Sequence, residues 1–487
     1  MKEKSIAKNS IYNVIYKGFT AIFPLFTTVY IARVLLPEGV GRVEYANTIV
    51  TYFTTLAALG IPNYGVKAIA QTSQNKKEKS RTFWELFFIN MISTIICLAV
   101  YFIFVNLVPH FQSRRVLFNV MGLMLFFNIF NSDWFYQGIE EYSYIAVRSV
   151  VIKILSFVAM LLFVKSVNDY VIYALILCIA TAGNYLFNTV HLKRYICFEW
   201  KNLQLKKHLK PVFILLAAAI ATQIYTMLDT IMLEYVLGER YVGYYSNAVK
   251  VVRMIYTVAI AVVTPFYPRI SRLLKEKKYS ESNKLLSEGL KLIIIVALPC
   301  IAGLFMTSEY IVAVLFGNAF NPTIVTLKIL SILVGIFSVA YFLGHIVLMS
   351  VAKENKILLA TICGAIINAI ANIIMIPIFE HNGAAIASVL AELIVTIVLV
   401  SESKKYFCLY IERKFVTTEL VAVVIMIVEI YILRLVVPVN IYGFFFIVFV
   451  SIILYFGTLL VLKNPEILRL INKVRSKGNK KEPIYIY

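Results

Sequence analysis

Stretches of apolar residues, each about as long as a membrane-crossing helix, alternate with short polar segments from one end of the chain to the other. Crossing a bilayer as a helix takes about 20 mostly apolar residues. By that rule the pattern predicts spans near 11–34, 42–60, 83–106, 116–138, 149–165, 170–190, 211–235, 242–265, 291–308, 324–349, 357–377, 383–401, 418–437 and 441–462. The expected fold class is an all-α integral membrane protein of about fourteen transmembrane helices. Two spans depart furthest from the apolar pattern: the second opens with Arg42 and Glu44, and the eighth carries Lys250 and Arg253.

The polar segments give the orientation. With the N-terminus inside, segments 1–10, 61–82, 139–148, 191–210, 268–291, 351–356, 402–417 and 463–487 hold 35 Lys and Arg, and the opposite loops hold four, Arg114, Arg115, Lys165 and Arg240. Cytoplasmic loops are enriched in Lys and Arg, so both termini are expected in the cytoplasm. Adding or removing one span would put a basic cluster on the wrong side. The outer loops are short, the longest about 15 residues near 309–323, so the work of the protein is expected inside the membrane.

A faint repeat runs through the chain. A shift of 202 aligns Val34, Leu35, Val40, Gly41 and Ala46 with Val236, Leu237, Val242, Gly243 and Ala248. Two related six-helix bundles are a recurring transporter architecture. The expected organisation is two pseudo-symmetric bundles, 1–210 and 211–401, then two additional helices within 402–462 and a basic tail, 463–487.

Composition agrees and narrows the partners. Of 487 residues, 60% are apolar and 15% charged, with a mean hydropathy of +0.81; soluble domains keep roughly 25% charged. The net charge of +21 sits in clusters such as 191–210 and 268–291, between apolar stretches. A nucleic-acid binder gathers its cations on a face of a soluble domain, so no nucleic acid is expected. Topology and anionic lipid account for the charge; the tail either lies on that lipid or docks a partner. Cysteines 97, 178, 197, 300, 363 and 408 show no CxxC, and the five histidines are scattered. They read as small hydrophobes and isolated polar groups, with no disulfide framework, metal or cofactor expected. The basic N-terminus leads into an apolar run too long for a signal peptide, which reads as a retained first helix.

Ionisable side chains within spans are costly and usually face a cavity or a partner. Lys250 and Arg253 lie near the middle of the eighth span, and three residues apart puts them on nearly one face of a helix. Two cations there call for an anion. Lys17 lies toward the cytoplasmic side of the first span. Lys153 either faces the same cavity or snorkels to water. Asp133 and Asp229, near span ends, suit a helix-end or ion-pair role or a functional one. Glu392, mid-span, is a candidate ion carrier or a protonated acid bonded to a neighbouring helix. Gly18 and Pro24 predict a bend in the first helix, and Pro265 and Pro268 an end to the eighth. No GxxxxGK[ST], HExxH or GxSxG occurs, so the motif of an ATP-binding loop and two common hydrolase motifs are missing.

Three regions resemble a known family. The first runs from Pro24-Leu25 through Ala32-Arg33-Val34-Leu35-Leu36-Pro37-Glu38-Gly39-Val40-Gly41 to Gly60-Ile61-Pro62-Asn63-Tyr64-Gly65. The second is Asp133-Trp134-Phe135-Tyr136-Gln137-Gly138, with Tyr144-Ile145-Ala146 and Arg148 after it. The third extends from Phe316-Gly317 through Leu327-Lys328-Ile329-Leu330 to Asn382-Gly383-Ala384-Ala385-Ile386-Ala387. They resemble the Wzx-type oligosaccharide flippases of the multidrug/oligosaccharidyl-lipid/polysaccharide exporter superfamily. Val29 stands where that family commonly has proline, and Leu36 where it commonly has glycine.

The resemblance implies a carrier of undecaprenyl-diphosphate-linked sugar repeat units across the bacterial cytoplasmic membrane by alternating access, with the polar head crossing through a central cavity. Lys17, Lys153, Lys250 and Arg253 would then meet the diphosphate, with Glu392, Asp133 and Asp229 as ion-coupling or ion-pair residues. Partners would be the lipid-linked glycan, anionic lipids and other membrane proteins of polysaccharide assembly. The alternatives are a drug/cation exporter, whose cavity should favour carboxylates, and a peptidoglycan-precursor flippase, which charge does not separate. A polysaccharide polymerase or glycosyltransferase would need a large outer loop, and none is present; the chain reads as no enzyme.

Overall fold

A computed structural model describes residues 6–72, 75–199, 203–408 and 410–479, with side chains described for Phe23 and, within those ranges, for 26–472. The described residues form helices and no strand. By contact the chain divides into two compact units, 1–243 and 244–487.

In the first unit, α1 (Ile6–Ala58) is one run of helix whose backbone breaks at Leu36, giving two passages. There follow α2 (Ile61–Ala70), α3 (Lys76–Leu107), α4 (Pro109–Gln112), α5 (Arg115–Phe127), α6 (Asp133–Gly138), α7 (Tyr142–Phe163), α8 (Tyr170–Leu192) and α9 (Lys206–Leu237). Helix α10 (Glu239–Val263) begins in this unit and continues into the second. The second unit adds α11 (Phe266–Lys275), α12 (Tyr279–Leu315), α13 (Thr323–Leu330), α14 (Leu333–Tyr341), α15 (Glu354–Ser403), α16 (Arg413–Val436), α17 (Ile441–Val461) and α18 (Pro465–Asn479). Helix α15 breaks at Glu380 and so also makes two passages.

Ten helical stretches among the described residues are long and apolar enough to cross a membrane. Counting α15 twice, with the two halves of α1 and the 24-residue α16, the structure has the fourteen passages expected. Their outward faces carry large apolar side chains such as Leu107, Val190, Leu435 and Val436, all more than two-thirds exposed, as lipid-facing surfaces require. Helix α10 ends at Val263 and α11 starts at Phe266, so Pro265 lies at the break as expected, whereas Pro268 lies in the first turn of α11. In α1 the helical geometry breaks at Leu36 and not, as expected, at Gly18 and Pro24, whose backbone lies within the helix.

Why these segments pack is clearest around the sequence Asp133–Gly138. Trp134, Phe135 and Tyr136 are buried with Phe83, Leu86 and Ile145 in one apolar cluster. The Tyr136 hydroxyl donates to the Asn188 carbonyl at 2.6 Å, fixing α6 on α8. Between helices in lipid the gain comes from close packing, and each ring pair contributes about 0.5–1.5 kcal/mol. In the second unit the corresponding core joins α12, α16 and α17 through Ile295, Tyr310, Phe415, Met426, Ile447 and Tyr455.

The two copies of the repeat meet inside the first unit. A Cβ on Gly41 would overlap the Glu239 carbonyl, and a Cβ on Gly243 would overlap the Pro37 carbonyl. Residues 37 and 239, like 41 and 243, are related by the same shift of 202. The contact is reciprocal, as in a two-fold interface. Ion pairs surround it. Arg42 bridges Glu38 and Glu239, the latter at 2.8 Å, and lies over the Tyr170 ring. Arg114 reaches Glu234 at 2.5 Å and also pairs with Glu239, and His110 lies 2.8 Å from Glu234. This cluster explains how the second passage tolerates Arg42.

Candidate functional site

The cations singled out in the eighth passage lie on α10. Lys250 is half-buried and Arg253 exposed. Exposed Thr257, one turn further on, donates to the Arg253 carbonyl at 2.7 Å, so these positions mark one open stripe of the helix. Lys153, half-buried on α7, sits over the Phe23 ring, 5.8 Å from its centroid. Lys17 is placed on α1, but its side chain lies outside the described residues.

The acidic candidates differ among themselves. Asp133 is held in a polar knot: Arg148 Nη2 donates to it at 2.9 Å and Asn188 Nδ2 at 2.6 Å. Arg148 also donates to Asn184 at 3.1 Å and to Asn188. This is an ion pair joining α6, α7 and α8, and the guanidinium spends its donors within it. Asp229 is buried on α9 and engaged there. Glu392 is buried on α15, and among the described residues its Oε2 has no hydrogen-bond partner. One turn before it on the same face, Ser388 lies 2.8 Å from the Tyr245 hydroxyl of α10. Among the described residues no group of three or more His, Cys, Asp or Glu could hold a metal ion.

A further feature was not anticipated. The first unit contains a cleft of about 470 Å³ between α1, α2, α5, α8 and α9. Its polar lining is Thr51, Thr54, Thr55, Asn63, Asn128, Asn131, Thr181, Tyr185, Thr222 and Gln223, with no carboxylate, amine or guanidinium among the described residues. Two breaks in the helices border it. One is the turn at Leu59 and Gly60, both with positive φ, and the other runs from the 3₁₀ turn Asn128–Phe130 through the non-helical pair Asn131 and Ser132. Irregular backbone at membrane depth is tolerated where protein buries it or where it lines a wet cavity. The signal was present in the sequence: Thr51, Thr54 and Thr55 recur at i, i+3 and i+4 within an apolar run.

Comparison with known proteins supplies the family. The family described as "Polysaccharide biosynthesis protein" matches residues 6–274, more than half of the chain. The chain is 20% identical over 398 residues to the "Putative O-antigen transporter" of Escherichia coli (strain K12), covering 80% of this chain and 95% of that one. It is 22% identical over 405 residues to the "Capsular polysaccharide biosynthesis protein CapF" of Staphylococcus aureus, covering 80% and 98%. Among solved structures it is similar to lipid II flippase MurJ in an inward closed conformation, with a TM-score of 0.77, 14% identity and coverage of 95% and 99%. It is also similar to an inward-facing multidrug resistance MATE family transporter of the MOP superfamily, with a TM-score of 0.61, 14% identity and coverage of 79% and 93%. At these identities the structural likeness concerns the fold. The match over 6–274 takes in the first two resembling regions, and with it the conclusion is direct: the chain belongs to the polysaccharide biosynthesis protein family.

Proposed function

We propose that this protein moves undecaprenyl-diphosphate-linked oligosaccharide repeat units across the bacterial cytoplasmic membrane, for cell-surface polysaccharide, by alternating access and without making or breaking covalent bonds. Both termini are cytoplasmic in this reading, as the loop charges require. The names of the relatives support the glycan. The observation that carries the reading is the open stripe of α10, where Lys250 and Arg253 stand three residues apart in a passage through the membrane. A diphosphate is the substrate group that such cations would hold, by charge-assisted hydrogen bonds, with the planar arginine able to bind two oxygens at once. Lys17 and Lys153 receive the head group on its way in. Glu392, buried with an unpartnered oxygen, is the proposed carrier of the coupling ion.

The test is a strain that depends on this protein, carrying Lys250→Ala and Arg253→Ala together. The lipid-linked repeat unit should accumulate on the cytoplasmic leaflet and surface glycan should be lost, at normal protein level in the membrane. Unchanged export would remove both cations from the transport role.

A further inference from the structure

The cleft of the first unit has a chemistry that the diphosphate does not explain. An anion site needs cations or an array of N–H donors, and no cationic side chain among the described residues lines this cleft. An alkyl chain asks only for apolar walls, whereas ten of the sixteen lining residues set hydroxyl or amide groups among the apolar surface. What combines uncharged donors and acceptors at close spacing is a sugar.

The hydrogen bonds already made in the cleft set the direction of those still available. Thr51 donates to the Asn47 carbonyl at 2.6 Å, Thr181 to Leu177 at 3.0 Å and Thr222 to Ala218 at 3.0 Å. With their protons spent on the helix behind them, these hydroxyls offer lone pairs to the cleft. A ligand rich in hydroxyl donors is the complement. The side-chain amide of Asn63, exposed at the rim, supplies both donors and an acceptor. The half-buried Tyr185 presents a ring against which the apolar face of a pyranose can lie. A volume of about 470 Å³ is within the ~300–1,000 Å³ of small-molecule sites. Most of the lining positions, from Thr54 to Asn63 and including Asn128, Asn131 and Tyr185, fall in the part of their passages that the loop charges place toward the cytoplasm, the side on which a lipid-linked sugar would be loaded.

We infer that this cleft is a sugar-recognition site: it holds an uncharged, hydroxyl-rich sugar residue of the lipid-linked substrate, separately from the cations that hold its diphosphate. The inference rests on the proposed transport of a lipid-linked oligosaccharide and names the part of the substrate that this cleft takes.

The full-length protein in nanodiscs would be titrated with two lipids, undecaprenyl diphosphate and undecaprenyl diphosphate bearing one N-acetylglucosamine. The wild type should bind the sugar-bearing lipid more tightly. Thr54→Val with Thr55→Val, and separately Asn63→Leu, should reduce that advantage about tenfold, the scale expected when a site loses hydrogen bonds to a hydroxyl. Affinity for the sugar-free lipid should stay the same. Unchanged thermal midpoints would show that the variants are folded, and Asn63, being exposed, gives the safer variant. Equal binding of both lipids by the wild type, or a sugar advantage that survives both variants, overturns the inference and leaves the transport reading standing. Binding of neither lipid overturns both.

Discussion

The segments 34–46 and 236–248 share five residues, yet they differ at the position where each makes its turn. At the first, Leu36 holds φ 58° and ψ 177°; at the second, Gly238, 202 residues later, holds φ 93° and ψ 178°. That region of backbone space is nearly reserved for glycine, and another residue there costs of order 1–3 kcal/mol. One copy therefore makes its turn without penalty and the other under strain. The surroundings must hold Leu36 in place, and they are visible: the Gly41–Gly243 crossing and the ion pairs of Arg42 and Arg114 clamp the same turn. The difference teaches that the geometry of the turn is kept even at the position where the two copies differ in residue.

The comparison can be broken most severely at the crossing. Gly243→Val drives a side chain into the Pro37 carbonyl, and folded protein should be lost by more than about 3 kcal/mol, read as the amount in the membrane and the thermal midpoint. Glu234→Gln comes next. It removes the charge that Arg114 and His110 share, and since Arg114 is partly open to solvent the expected loss is about 2 kcal/mol, measured by thermal unfolding. A rise in the midpoint would mean that the cluster serves conformational switching at the expense of stability.

Leu36→Gly sharpens the comparison in the other direction. Leu36 is partly exposed, so little packing is lost, and relief of strain should stabilise the protein by about 1 kcal/mol. Gly238→Ala should cost a similar amount, because a Cβ there meets nothing within 4 Å and the backbone alone objects. If the two changes shift the thermal midpoint in the same direction, the equivalence of the two turns is wrong. The smallest effect belongs to Arg42→Lys, which keeps the charge but loses the fork that spans Glu38 and Glu239; about 0.5 kcal/mol is expected by the same measurement.

Much of the fold was legible because the feature that decides it, twenty or so apolar residues in a row, is a property of consecutive positions. The second and eighth passages were recovered despite Arg42, Glu44, Lys250 and Arg253. The turns at Leu36 and Glu380 fall in the gaps left between spans 11–34 and 42–60 and between 357–377 and 383–401. That each is made at one residue of positive φ within a continuous run of helix was not legible, since neither residue type announces it. The ion cluster was illegible for a different reason: Arg42 and Glu239 are 197 positions apart, and no local rule connects them. Asp133 was left between an ion-pair and a functional role, and the structure pairs it with Arg148. The motif containing it contributes buried rings and a staple between α6 and α8, so this part of the family resemblance is architectural. The cleft had a local signal in Thr51, Thr54 and Thr55, but helical spacing gives only a face. Which helices turn such faces toward one another is decided by packing.

The absence of ionised side chains among the described residues lining that cleft has an electrical consequence. A full charge moved across the membrane potential changes its energy by about 2.3 kcal/mol per 100 mV, so cationic or acidic walls would make each conformational step sensitive to voltage. Walls of threonine, asparagine and tyrosine carry no such gating charge. Loading a sugar there would proceed equally well in an energised and a depolarised cell, leaving voltage to act on the charged substrate head and on the ionisable groups of the helices themselves.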